Sequence, residues 1–170
     1  LKPSELTSAI DKGVAVSFDQ RLDELGIQIP VPPRPVANFV PCVQVGDIVH
    51  VSGQGPFDQD VQMHSGRLGA ELGVEEGYAA ARLTILNSLG VIKEEYGSLD
   101  VVKRVVKLLG IVNSAENFFD QPRVINGASD LLVEIFGEAG LHARSAIGVN
   151  ALYSNIPVEI EMIVQLRTSP

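Results

Sequence analysis

The sequence predicts an α+β fold, a mixed β-sheet with two helices packed on one face. Three observations carry that prediction. Two long stretches hold apolar residues at helical spacing, and several shorter ones alternate or run apolar as strands do. The two kinds interleave in the order hairpin, helix, strand, helix, strand, strand.

The first elements form an extension. Leu6 to Ile10 and Phe18 to Leu25 are short amphipathic stretches, and the second ends at Gly26 as a helix does. The run Ile29 to Val36 follows, with prolines at 30, 32, 33 and 35 that cannot donate to a ladder and favour an extended connector. Residues 1–35 therefore read as a helical extension with a proline-rich connector, and residues 36–170 as the domain proper.

From Cys42 to Ser52, Val43 and Val45 stand on one side of Gly46-Asp47 and Val49 and Val51 on the other, the pattern of a hairpin. Asp58 to Gly69 is polar and glycine-containing and reads as an exposed loop. Glu75 to Tyr96 places Ala79, Leu83, Leu86, Leu89 and Ile92 at helical spacing, with acidic residues at the start where the helix dipole favours them. Val101 to Val112 is β-branched and reads as a buried strand. Pro122 to Phe136 returns to helical spacing through Ile125, Ala128, Leu132 and Ile135, and Gly137 and Gly140 close it. Two strands complete the chain, Ser145 to Leu152 and Val158 to Leu166. In the latter, Val158, Ile160, Met162, Val164 and Leu166 form one apolar face, with Glu159, Glu161, Ile163 and Gln165 on the other. Because Ile147, Val149, Ala151 and Ile163 are too apolar to face water, the uncovered side of the sheet is expected to self-associate.

Composition narrows the function. A net charge of -8 supplies no positive field for nucleic acid, and the tightest basic cluster, Lys103, Arg104 and Lys107, lies in a strand whose solvent face accounts for it. No apolar run reaches membrane-spanning length, and Lys2, Glu5, Asp11 and Lys12 fall within the first dozen residues, so no membrane partner is expected. The single cysteine, Cys42, fits a reducing compartment, and a cytoplasmic location is expected. No metal site is readable, since His50, His64 and His142 are scattered, and no cofactor motif is present. Ser52-Gly53-Gln54-Gly55 lacks both a nucleophile elbow and a Walker lysine, and by itself reads as a strand-ending turn.

The informative pair is Arg144 and Glu161. Arg144 opens one strand and Glu161 points away from the core face of the next, so neighbouring strands can bring them together. A guanidinium fork matches a carboxylate, and a nearby carboxylate orients or deprotonates water. A plain ion pair at a sheet end accounts for the same spacing.

Four segments, Val51-Ser-Gly-Gln54, Ala81-Arg-Leu-Thr-Ile-Leu-Asn87, Ala143-Arg-Ser145 and Val158-Glu-Ile-Glu161, resemble in order and spacing the RidA/YjgF family, also called endoribonuclease L-PSP. The resemblance spans roughly Val36 to Arg167, and a Leu-Asp-Glu-Leu-Gly stretch like Leu22 to Gly26 is similar to a subgroup with an N-terminal extension. It implies a chorismate-mutase-like fold, a homotrimer with ligand clefts between subunits, and hydrolysis of 2-imino acids, the tautomers of 2-aminoacrylate-type enamines, to 2-keto acids and ammonia. No metal or cofactor is implied. By this resemblance Arg144 grips the substrate carboxylate and Glu161 handles water. Ser52 and Asn126 line the cleft. Phe39 stands where the family has a tyrosine, and Ala146 where it has a cysteine. Those two departures support an alternative, a non-catalytic trimer that binds small carboxylates or acts as a chaperone. Ribonuclease activity is disfavoured by the acidic chain.

Overall fold

A computed structural model describes residues 17–58 and 61–167; the stretch Leu6 to Ile10 lies outside the described residues. The elements are α1 (Phe18–Leu25), β1 (Cys42–Val45), β2 (Ile48–Gln54), β3 (Phe57–Asp58), β4 (Val61–Gln62), α2 (Val74–Tyr96), β5 (Val102–Asn113), α3 (Gln121–Phe136), β6 (Ala143–Val149) and β7 (Val158–Leu166). Five strands form a mixed sheet in the order β1-β2-β7-β5-β6, antiparallel except for the β5–β6 pair, and β3 and β4 form a separate small hairpin.

Local chemistry sets the element boundaries. Gly46 turns the β1–β2 hairpin at φ 62°, a conformation that favours glycine. At the start of α2 the Glu76 carboxylate accepts the Gly73 N–H at 3.0 Å, and Gly97 ends the helix in the left-handed conformation. The expected α2 stripe is displaced. Ala79 is exposed and Leu83 and Leu86 are half-buried, whereas Ala80, Ala81, Thr84, Ile85, Ser88 and Leu89 are buried. The cause is that α2 lies on the sheet and against α3 at once, and its small residues make room for both. Contact between the two helices is backbone-close, since a Cβ on Gly127 of α3 would overlap the Tyr78 carbonyl oxygen of α2.

Both helices cover one face of the sheet. Val49, Val51, Leu108, Ile160, Met162 and Val164 point into the core they enclose and are fully or almost fully buried. The opposite face is open: Ile147 is 45% exposed and Val43 and Val45 more so. Ile163 and Val149 are half-buried there.

Two sequence expectations need correction. The stretch Asp58 to Gly69 is not simply an exposed loop, because it carries β4 and because Leu68 is fully buried and bridges to Asn113 and Ala115 through backbone hydrogen bonds. Strand β6 runs Ala143–Val149 and not Ser145 to Leu152. Its pairing with β5 ends where Ser114 N–H meets the Val149 carbonyl, and the chain then turns through Ser154 and Asn155 at positive φ.

The extension packs on this body. Phe18 meets Phe136 edge-on at 4.6 Å between ring centroids, Asp100 accepts both the Ser17 hydroxyl and the Phe18 N–H at 2.6 Å, and Lys93 pairs with Asp19 at 3.1 Å. Among the described residues no helix is long and apolar enough to cross a membrane.

Candidate functional site

Arg144 lies near the start of the edge strand β6, opposite Leu108 of β5, whose buried side chain marks the helix side of the sheet. Laterally paired residues share a face, so the Arg144 side chain also lies on the helix side. There α3 receives it. Nη1 donates to Asn126 Oδ1 at 2.9 Å and to Ser129 Oγ at 3.0 Å, two residues one helical turn apart. Among the described residues no acceptor is bonded to Nη2 or Nε, so those donors remain available to an anion.

His142, two residues before Arg144 and immediately ahead of β6, extends this cluster. Its Nδ1 is 2.6 Å from the Gly140 carbonyl oxygen, which only accepts, so the proton belongs on Nδ1. Nε2, 3.1 Å from Ser129 Oγ, then accepts the serine hydroxyl, and that leaves the serine lone pairs facing Arg144. Burial holds the His142 pKa below its ordinary value; the Gly140 hydrogen bond opposes the shift, and the positive charge of Arg144 adds to it. A histidine depressed in the folded chain is protonated more readily in the unfolded one. Its contribution to stability is therefore full above about pH 6.5 and is lost as pH falls below that value. We expect the melting temperature of the parent to drop between pH 7.5 and 5.5 by more than that of His142→Asn. An identical drop in the two proteins would show that His142 does not feel this site.

The carboxylates lie elsewhere. Leu109 of β5 pairs with Ser145 on one side and with Glu161 on the other, so Glu161 shares the open face with Ser145, one residue out of phase with Arg144. Within one subunit Arg144 and Glu161 therefore project from opposite faces and do not converge, contrary to the sequence expectation. Strand spacing carries no register, and one residue of register decides the face. Glu161 is exposed.

Glu159, on the same face, is the half-buried member of the pair. It lies against a bulge in β2 between Val51 and Gln54, where a Cβ on Gly53 would overlap the Glu159 carboxylate. Burial raises its pKa above the ordinary carboxylate value, and the charge of Glu161 raises it further. Glu159 also borders a cleft of about 370 Å³ that is lined by residues 33–36 of the connector, Phe39, the turn Gly53–Gly55 and Phe57. Ser52 donates its hydroxyl to the Val40 carbonyl at 2.7 Å and so pins the segment that carries Phe39 to β2. Asn87 of α2 holds the turn from behind, its amide nitrogen donating to the Phe57 and Gly55 carbonyls at 2.8 and 3.2 Å.

The structure thus divides the sequence-predicted set in two. Arg144, Asn126 and Ala146 lie together on the helix side of β6 and α3. Phe39 lines the cleft, Ser52 ties the segment that carries it to β2, and Glu161 stands beside Glu159 on the open face. Sequence reasoning missed Ser129, His142, Glu159 and Asn87. Two of these had a signal: Ser129 follows Asn126 by three on a helix, and Glu159 shares the alternating face with Glu161.

Comparison with known proteins adds the lineage. Residues 19–165 match the family described as "YjgF/chorismate_mutase-like, putative endoribonuclease". The chain is 45% identical over 147 residues to Protein TCP17 of Trypanosoma cruzi, covering 86% of this chain and 92% of that protein. It is 31% identical over 143 residues to the 2-iminobutanoate/2-iminopropanoate deaminase of Dermatophagoides farinae, covering 83% and 95%. The crystal structure of the protein Atu1372 from Agrobacterium tumefaciens superposes with a TM-score of 0.82 at 39% identity, covering 88% of this chain and 92% of that one.

Proposed function

Since this chain belongs to the YjgF/chorismate-mutase-like family, we propose that it hydrolyses 2-imino acids to 2-keto acids and ammonia in sites shared between the subunits of a homotrimer. One observation carries the reading. Free guanidinium donors and a protonatable carboxyl, the two groups this reaction needs, are both built into the fold, yet the strand register puts them on opposite faces. A second copy supplies the missing half, and the open apolar face of the sheet gives that copy a surface to bind.

In this reading the substrate carboxylate lies on Nη2 and Nε of Arg144, held at a fixed angle by Asn126 and Ser129. The carboxyl pair Glu159 and Glu161 of the neighbouring subunit faces the imine. Glu159, whose protonated form burial favours, protonates the imine nitrogen, and the resulting carboxylate takes a proton from the attacking water. Water oxygen bonds to the imine carbon, Glu159 passes the proton it has taken to the amino nitrogen, and as the carbon–nitrogen bond breaks the hydroxyl proton returns to Glu159, so one water is consumed for each ammonia and keto acid released. Imines hydrolyse unaided, so orientation and proton transfer suffice, and neither metal nor cofactor is required by this scheme.

The test is complementation. Arg144→Ala and Glu159→Gln homotrimers are each expected to clear 2-iminopropanoate near the uncatalysed rate. Randomly mixed trimers should regain about a quarter of the parental rate, the chance that an interface joins an intact arginine to an intact glutamate. Ammonia release that stays at background in the mixture, although the parent is active, would rule out a shared site.

A further inference from the structure

The proline-rich connector lines the cleft beside Glu159 through Pro33, Pro35 and Val36, together with Phe39, Phe57 and Tyr153. Three of these are apolar or aromatic groups left open to solvent: Val36 is 85% exposed, Tyr153 67% and Phe39 51%. Scattered apolar residues need no explanation, but a cluster lining one concavity around a half-buried carboxyl does. The wall is also held in place. Pro32 is buried, and the Pro30 carbonyl oxygen comes so close to α2 that a Cβ on Gly90 would stand only 2.7 Å from it. Proline rings fix φ, so the wall is formed before a ligand arrives and little ordering entropy is lost on binding.

The cleft, about 370 Å³, falls within the range of pockets that enclose whole organic ligands, about 300–1,000 Å³, and is larger than a substrate side chain of one methyl group would fill. Its charged side chains are Arg34, which is exposed, and Glu159, with Glu161 next to it. An acidic substrate side chain would meet that carboxyl pair.

We propose that the connector-walled cleft is the side-chain subsite of the enzyme, and that its substrates are 2-imino acids with large apolar side chains, branched aliphatic or aromatic. This rests on the hydrolase reading above and specifies its substrate class. The extension is then a specificity element, and a chain that lacked it would present an open shelf in place of a pocket.

The experiment uses the full chain and imines generated by amino-acid oxidase from leucine, phenylalanine, alanine and glutamate, with keto-acid release followed against the uncatalysed rate. We expect kcat/KM for the leucine and phenylalanine imines to exceed that for the alanine imine by about 10-fold or more, as methylenes in an apolar pocket provide. In Val36→Glu, a change at an exposed position that the fold tolerates, the ratio of leucine to alanine imine should fall by about 10-fold. Equal rates for all four imines, or a lead for the alanine or glutamate imine, would overturn the proposal. If no imine is accelerated, the hydrolase reading has failed, and calorimetry with the corresponding keto acids still decides the subsite. Tighter binding of the leucine and phenylalanine keto acids than of pyruvate upholds it, and equal or weaker binding ends it.

Discussion

Arg144→Lys is expected to lower kcat/KM for imine hydrolysis by about 100-fold, and Arg144→Ala by more, with little change in melting temperature. The arginine spends Nη1 on Asn126 and Ser129 and keeps its other two nitrogens for a carboxylate. Lysine offers a point charge at the end of a flexible stem, so it can satisfy the α3 acceptors or the substrate, but not both in a fixed plane. A charge-assisted hydrogen bond contributes about 1.5–3 kcal/mol, and each 1.4 kcal/mol is tenfold, so losing one or two such bonds accounts for the magnitude. The loss should appear in KM as well as kcat, since the carboxylate is gripped in the ground state too. A lysine variant with parental kinetics would remove Arg144 from the site.

Glu159→Gln is expected to reduce kcat by about 10²- to 10³-fold with KM nearly unchanged, because the amide keeps the shape of the carboxyl but transfers no proton. Glu161 provides the control. Its charge is one of the two causes that raise the Glu159 pKa, so Glu161→Gln should retain turnover while the pH–rate profile shifts to lower pH. The sign follows from removing a like charge: the ionised form of Glu159 becomes less costly and its pKa comes down. If instead Glu161→Gln abolishes turnover and Glu159→Gln spares it, the exposed carboxylate is the reacting one.

Much of the architecture was readable from residues. Gly46-Asp47 between alternating valines marks the β1–β2 hairpin. The apolar periodicity of α2 and α3 places each helix to within one residue at its start, and the strict alternation from Val158 to Leu166 describes β7 as found. The uncovered face also followed from Ile147 and Ile163. What escaped depends on contacts between distant segments. No spacing along the chain reveals that Leu108 pairs with Arg144 and Leu109 with both Ser145 and Glu161, and that phase assigns the guanidinium and the carboxylates to different faces. Alternation put Glu159 and Glu161 on one side but could not choose between them; burial against the β2 bulge does. The β3–β4 hairpin was hidden because each strand is only two residues long, too short to show an alternating pattern.

The position of β7 has a consequence for how the protein is made. Strand β7, which follows the other four strands of its sheet in sequence, is inserted between β2 and β5, so the β1–β2 hairpin and the β5–α3–β6 unit share no sheet until β7 has left the ribosome. A nascent chain stopped short of Val158 would display two unpaired strand edges, templates for aggregation. The β2–β7 pairing joins strands far apart in sequence, and pairings of that kind are slow to form. Glu159 arrives on that same strand, so a chain stopped there would lack the carboxyl proposed above to transfer the proton.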